Sequence, residues 1–138
     1  MTVLYGTLLG FALWTLCVLT FTVGVHRWSR ILTGRAAIHE FPAHAPTGPD
    51  WYRRGTRAHA NCIENLPVYG AIVVTASSVG ASGLLLDALA VSVLAARVVQ
   101  SLVHMAFVET PRTVSVRFTF YCVQIVAMTA MAVIVFRH

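Results

Sequence analysis

Charged side chains are scarce in this 138-residue chain, and lysine is missing from it altogether. Only 11% of the residues are charged, whereas a soluble domain carries about 25%. The chain is also 57% hydrophobic, and its apolar residues stand in long runs. An ordinary soluble domain is therefore excluded, and the composition predicts an integral membrane protein.

Because lysine is absent, the net charge of +5 rests on ten arginines alone. A basic balance is compatible with nucleic-acid binding, but these arginines flank the apolar runs. Membrane topology explains that placement better. We therefore expect membrane lipid, and no nucleic acid, as a partner.

Cysteine is also rare. The three cysteines form no C-x-x-C pair, and their odd number disfavours a disulfide framework. The spacing of His26, His39 and His44 is no metal signature, so we expect no metal. The chain shows no internal repeat and no low-complexity segment, and we predict one domain over residues 1–138.

Residues 2–25 contain no charge at all. This apolar run is too long for the core of a typical signal peptide, and no basic segment precedes it. We interpret it as a retained membrane helix.

Apolar runs of about 20 residues predict membrane helices. The fold class predicted is an all-α integral membrane protein, a bundle of four transmembrane helices. The predicted spans are residues 2–25, 57–82, 84–108 and 114–136, with the second helix beginning near Asp50. The arginines collect in the 26–56 and 109–116 loops. The positive-inside rule therefore places both loops in the cytosol and both termini outside.

Three of the four spans carry a polar stripe, because positions i, i+4 and i+7 share one face of a helix. The stripes are Arg54, Arg57, Asn61 and Glu64 on the second helix, Arg97, Gln100, Ser101 and His104 on the third, and Arg117, Tyr121 and Gln124 on the fourth.

Arginine at the centre of a bilayer costs about 2.5–3.5 kcal/mol, so these groups need a protein or water environment. One interpretation is that they form ion pairs or extend to the interface. The other is that three stripes at one depth form a basic pocket for an anionic small molecule, since arginine pairs well with carboxylates.

The stretch R-A-H-A-N-C-I-E-N-L-P-V-Y, residues 57–69, resembles the signature of the MAPEG family, the membrane-associated proteins in eicosanoid and glutathione metabolism. The preceding G-P-D-W-Y-R-R resembles bacterial members, for which a bacterial inner membrane is expected. The resemblance covers essentially the whole chain. It implies a homotrimer with sites between subunits, and glutathione or another low-molecular-weight thiol as the cofactor.

The resemblance also implies roles for residues. Arg57, Asn61 and Glu64 match positions that hold glutathione, and Arg97 matches the arginine of the third helix. Arg117 and Tyr121 resemble a pair whose arginine stabilises the thiolate, although Arg112 is an alternative for that arginine. Arg54, Gln100 and His104 complete the expected cofactor site.

The chain departs from the family's prostaglandin synthase at Ala60, Gln100 and His104, so prostaglandin synthesis is not implied. The leading hypothesis is a membrane-bound, glutathione-dependent transferase or peroxidase acting on hydrophobic electrophiles. The alternative is a non-catalytic membrane binding or scaffold protein of the same fold. A small transporter using Glu64 is a third hypothesis, but Arg57 beside it would keep that carboxylate ionised.

Overall fold

Four long helices make up the part of the chain that the computed structural model describes, residues 2–41 and 46–138. We number them α1, Val3–Leu32, α2, Asp50–Ser78, α3, Leu84–Ala106, and α4, Pro111–Phe136. The described residues contain no strand, and His44 lies outside them. The prediction of an all-helical protein is confirmed.

Local backbone preferences explain where the helices begin and end. The Thr110 hydroxyl accepts a hydrogen bond from the Thr113 amide (3.2 Å), and Pro111 occupies the first helical position. Helix α4 therefore begins before the predicted boundary at residue 114. Helix α2 ends at Ser78, earlier than the predicted boundary at 82, because Gly80 has a φ of 76° that terminates it.

Helix α1 continues beyond the apolar run that predicts it. Its α-helical part gives way to a π-helical turn at Leu19–Gly24, and a further α-helical segment, Val25–Leu32, follows. The last turns of α1 thus carry His26 and Arg27 out of the apolar region.

Three helices, α1, α3 and α4, are long and apolar enough to cross a membrane. Helix α2 has 29 residues, about 43 Å at 1.5 Å per residue, so it is also long enough to cross a membrane. Its composition is more polar because Arg57, Asn61 and Glu64 lie within its first half. The helix that falls short in hydropathy therefore carries four of the nine predicted site residues.

A core of apolar side chains holds the helices together, away from the arginine-rich loops. Phe11, Tyr69, Val73, Val93 and Met131 are completely buried there. Within this core the Tyr69 hydroxyl lies 2.6 Å from Thr7 Oγ1 and donates to the Ala90 carbonyl at 3.4 Å. These contacts tie α2 to both α1 and α3.

At the other end, aromatic and arginine side chains join the end of α1 to the start of α2. His26 stacks on Tyr52 with ring centroids 4.0 Å apart, and Arg27 Nε donates to the Tyr52 hydroxyl at 3.1 Å. Gly55 allows the two backbones to approach closely at Thr22. The first turns of α2 are therefore fixed against α1, which positions Arg54 and Arg57.

Candidate functional site

One cleft gathers predicted site residues from three helices. Asn61 of α2, Gln100 and His104 of α3, and Arg117 and Tyr121 of α4 line a cleft of about 200 Å³. These are five of the nine residues predicted to form the site. They meet because the first half of α2, the last turns of α3 and the first turns of α4 lie at the same end of the bundle.

A second, adjoining depression has a strongly basic wall. Arg53, Arg54 and Arg57 line it together with Asp50 and Glu109, and its volume is about 230 Å³. Arg54 Nε donates to the Met105 carbonyl at 3.1 Å, which ties this wall to the end of α3. We call this depression the basic shelf. Cleft and shelf are each smaller than the roughly 300 Å³ at which small-molecule pockets begin.

Glu109 joins the two regions, and sequence analysis missed it. Its Oε1 atom lies 2.7 Å from Arg57 Nη1 and 3.5 Å from Arg117 Nη1. The hydrogen bond from Arg57 holds the pKa of the Glu109 carboxyl below its usual value of 4.5, so this group is ionised at neutral pH. The one sequence signal was its position, as the sole acid in the short segment between α3 and α4.

Two glutamine side chains, Gln100 in the cleft wall and Gln124 behind it, hold α4 against α3. Gln100 Nε2 donates to the Arg117 carbonyl at 3.1 Å, and Gln124 Nε2 donates to Gln100 Oε1 at 2.9 Å. Both glutamines are buried. Gln100, predicted to bind a cofactor, thus has bonds within the chain that position the Arg117 backbone.

His104 and Tyr121 both line the cleft but differ in their exposure. His104 is buried, and its Nε2 atom has no hydrogen-bond partner among the described residues. Tyr121 is 41% exposed, and its ring stacks near Phe118 with centroids 6.4 Å apart. The Arg117 side chain is only 14% exposed, so its charge is partly shielded from solvent.

Of the four predicted site residues outside the cleft, Arg54 and Arg57 line the basic shelf, and Arg97 and Glu64 line neither region. Arg97 is 1% exposed, and its guanidinium lies over the Phe11 ring at 5.5 Å, inside the bundle. Its Nε and Nη2 atoms have no partner among the residues described. It is therefore enclosed by α1 and does not line the cleft.

Glu64 lines a different groove, on the side of α2 that faces α1. That groove has a volume of about 450 Å³ and includes Arg27 and His59. Asn61 and Glu64 are about 60° apart around the helix, so they border different depressions although both belong to the predicted stripe. Within the described parts of the chain, no group of three histidine, cysteine or acidic residues is placed to hold a metal.

The arrangement suits an anionic ligand with a hydrogen-bonding body. Two arginines from different helices converge on one carboxylate, and an amide, an imidazole and a phenol stand within the same cleft. Arginine forks bind carboxylates well, and a partly desolvated guanidinium stabilises a neighbouring anion. The exposed apolar side chains of Val114 and Phe118 form the edge of the cleft.

The sequence model described as MAPEG family matches residues 2–137. Searches of curated proteins and of solved structures returned no match. Since the match covers nearly the whole chain, the protein belongs to the MAPEG family. The resemblance in residues 57–69 is thus confirmed, and with it the prediction of an integral membrane protein.

Proposed function

We propose that this member of the MAPEG family binds glutathione, or another low-molecular-weight thiol. The bound thiol would react with hydrophobic electrophiles or reduce hydroperoxides. The observation that supports this most is the cleft itself, in which Asn61, His104, Arg117 and Tyr121 come together beside the basic shelf. Glutathione has two carboxylates and a thiol, which match a site with several arginines and neutral donors.

The chemical role of Arg117 follows from the acidity of thiols. A free thiol has a pKa near 8.5, so only a small fraction of it is ionised to thiolate at about pH 7. Each unit by which a neighbour lowers that pKa requires about 1.4 kcal/mol of differential stabilisation. A guanidinium that is 14% exposed is screened less than one in bulk water, and the Tyr121 hydroxyl is a further donor beside it.

The remaining residues of the site would bind the cofactor. Arg54 and Arg57 would hold its carboxylates on the basic shelf, and Asn61 and His104 would hold its peptide groups in the cleft. Gln100 would hold the Arg117 backbone in position through its hydrogen bond to the Arg117 carbonyl.

The substrate would arrive from the lipid. Helix α4 has an outward face of exposed apolar residues that includes Phe118 and Val126. An electrophile dissolved in the bilayer could reach a thiolate at Arg117 along this face, and the water-soluble thiol would enter from the shelf. The thiolate would then attack the electrophilic carbon and displace its leaving group. With a hydroperoxide it would attack the distal oxygen and break the O–O bond, so that the alkoxide leaves and takes up a proton. The resulting sulfenic acid would react with a second thiol molecule to give a disulfide and water.

Assembly as a homotrimer, with α2 crossing the membrane as a fourth span, belongs to the same proposal. Glu64 is exposed on a face of α2 that also presents Ile63, Val68 and Val74. A carboxylate on such a face is costly in hydrocarbon. A neighbouring subunit against this face would remove Glu64 from lipid, and both arginine-rich loops would lie in the cytosol of a bacterial inner membrane.

A non-catalytic binding protein is a second candidate, because one observation favours it. Arg117 already has a counterion, Glu109, which weakens the field it would exert on a thiol. Turnover separates the two candidates. Conjugation of glutathione to 1-chloro-2,4-dinitrobenzene, or reduction of cumene hydroperoxide, supports the enzyme if Arg117→Ala abolishes it.

Calorimetry of glutathione binding to the detergent-purified protein tests the proposed site. We expect saturable binding by the wild type and at least a roughly tenfold loss in Arg57→Ala and in Arg117→Ala, since a charge-assisted contact is worth about 1.5–3 kcal/mol. Arg137→Ala is the matched control, because it removes the same charge at the far end of α4. Equal affinities in all four proteins would overturn the assigned site.

A further inference from the structure

The segment between α3 and α4 places a carboxylate where the proposed ligand would place its own. Glu109 stands between Arg57 of α2 and Arg117 of α4, and a single oxygen, Oε1, faces both guanidinium groups. No other acid reaches either arginine among the described residues, since the remaining ion pair joins Arg53 to Asp50.

We propose that Glu109 is an internal competitor for the site, and that a ligand binds by displacing this side chain from Arg57 and Arg117. This inference rests on the proposed function, because the displacing group is the carboxylate of an anionic thiol. Glu109 would thus be a specificity residue, which admits ligands that replace its charge and excludes neutral ones.

The segment is built so that Glu109 can leave without unfolding a helix. Phe107 and Val108 are exposed, so apolar burial does not anchor the segment. Helix α4 keeps its own start, because Thr110 and Thr113 cap each other independently of Glu109. The Glu109 side chain is itself 46% exposed and can turn towards water.

The pair of contacts is also weak enough to be exchanged. Ion pairs between partly exposed groups contribute little to stability, so Glu109→Gln should fold. The Arg57 side chain is 63% exposed and so available to a new partner. Because Glu109 is ionised at neutral pH, it can compete with the ligand's carboxylate for Arg57 and Arg117.

Binding of two probes to two variants tests the proposal. The variants are Glu109→Gln and, as the matched control with the same change of charge, Glu40→Gln in the exposed first loop. The probes are glutathione and its diethyl ester, which lacks both free carboxylates. We expect Glu109→Gln to bind glutathione about 3- to 10-fold more tightly, the range that two weak ion pairs imply. The ester should gain less than twofold, and Glu40→Gln should resemble the wild type.

Two results would overturn the proposal. Weaker glutathione binding by Glu109→Gln would mean that Glu109 contacts the ligand, for instance at its amino group. An equal gain for the ester would mean that the competition does not involve carboxylates.

A measurement without glutathione separates this proposal from the proposed function. Phenylglyoxal modifies accessible arginines, and peptide mass spectrometry reports each site. In Glu109→Gln we expect at least a threefold faster modification of Arg57 and Arg117, with Arg112 and Arg137 as internal references. Unchanged rates would refute the contact between Glu109 and the two arginines. Faster modification in a variant that does not bind glutathione would keep that contact and reject glutathione as the ligand.

Discussion

Replacing Gly55 by alanine tests the close contact that positions the start of α2. A Cβ atom at Gly55 would lie 2.5 Å from Thr22 Cβ and 2.6 Å from Thr22 Oγ1. Thr22 cannot move aside easily, because it is β-branched and its hydroxyl donates to the Val18 carbonyl at 2.5 Å. The two helices must therefore separate.

The magnitude follows from two opposing effects. Overpacking of a tight contact costs about 1–3 kcal/mol, occasionally more. Alanine in place of glycine within a helix returns about 0.5–1 kcal/mol. We therefore expect Gly55→Ala to lower the free energy of unfolding by about 1 kcal/mol, within a range of about 0–2.5 kcal/mol. The displacement also moves Arg54 and Arg57, so glutathione affinity should fall.

Gly70 provides the control on the same helix. A Cβ there would meet only Leu8 Cδ1, at 3.7 Å, which is an ordinary contact. Gly70→Ala should be neutral or stabilising by the helix propensity alone. Unfolding in mixed micelles with increasing dodecyl sulfate, followed by circular dichroism, measures both variants. If Gly55→Ala is as stable as Gly70→Ala, the reasoning from the Thr22 contact is refuted.

Two further predictions concern single contacts. Tyr69→Phe removes the hydroxyl that contacts Thr7 and Ala90, and should lower the free energy of unfolding by about 0.6–1.7 kcal/mol. Tyr5→Phe, on the exposed face of α1, is the control and should leave stability unchanged in the same unfolding assay. The depressed pKa of Glu109 means that its ion pairs stabilise the fold above its usual pKa of 4.5, and this contribution is lost as pH falls through its lower value in the folded protein. The thermal midpoint of the wild type should therefore exceed that of Glu109→Gln at pH 7. The difference should shrink as pH falls below about 4.5 and vanish below the lower pKa of the folded protein; a difference that keeps its pH 7 size throughout this range would contradict the prediction.

Sequence periodicity predicts which faces of the helices lie together. The stripes on three helices place Asn61, His104, Arg117 and Tyr121 on faces that do meet, because short connections force the helices to lie side by side. The same periodicity cannot resolve neighbouring grooves. Asn61 and Glu64 belong to one stripe, yet they border depressions on either side of α2.

Periodicity also fails where the partner of a side chain decides its role. Arg97 belongs to the stripe of α3, but α1 covers it and its guanidinium packs on Phe11. Glu109 lies outside any stripe, because it belongs to the segment between two helices. Its contacts with Arg57 and Arg117 arise because tertiary packing brings the ends of the helices together, and this packing cannot be read from the sequence.

We propose that the cleft stabilises a bound thiol as its thiolate. Ultraviolet difference spectroscopy of the purified protein with glutathione at pH 7 tests it directly, since the thiolate absorbs where the thiol does not. We expect a thiolate band in the wild type and in Arg112→Ala, and its loss in Arg117→Ala. Glutathione that binds without a thiolate band, or a band that Arg117→Ala leaves unchanged, would refute thiolate stabilisation by Arg117.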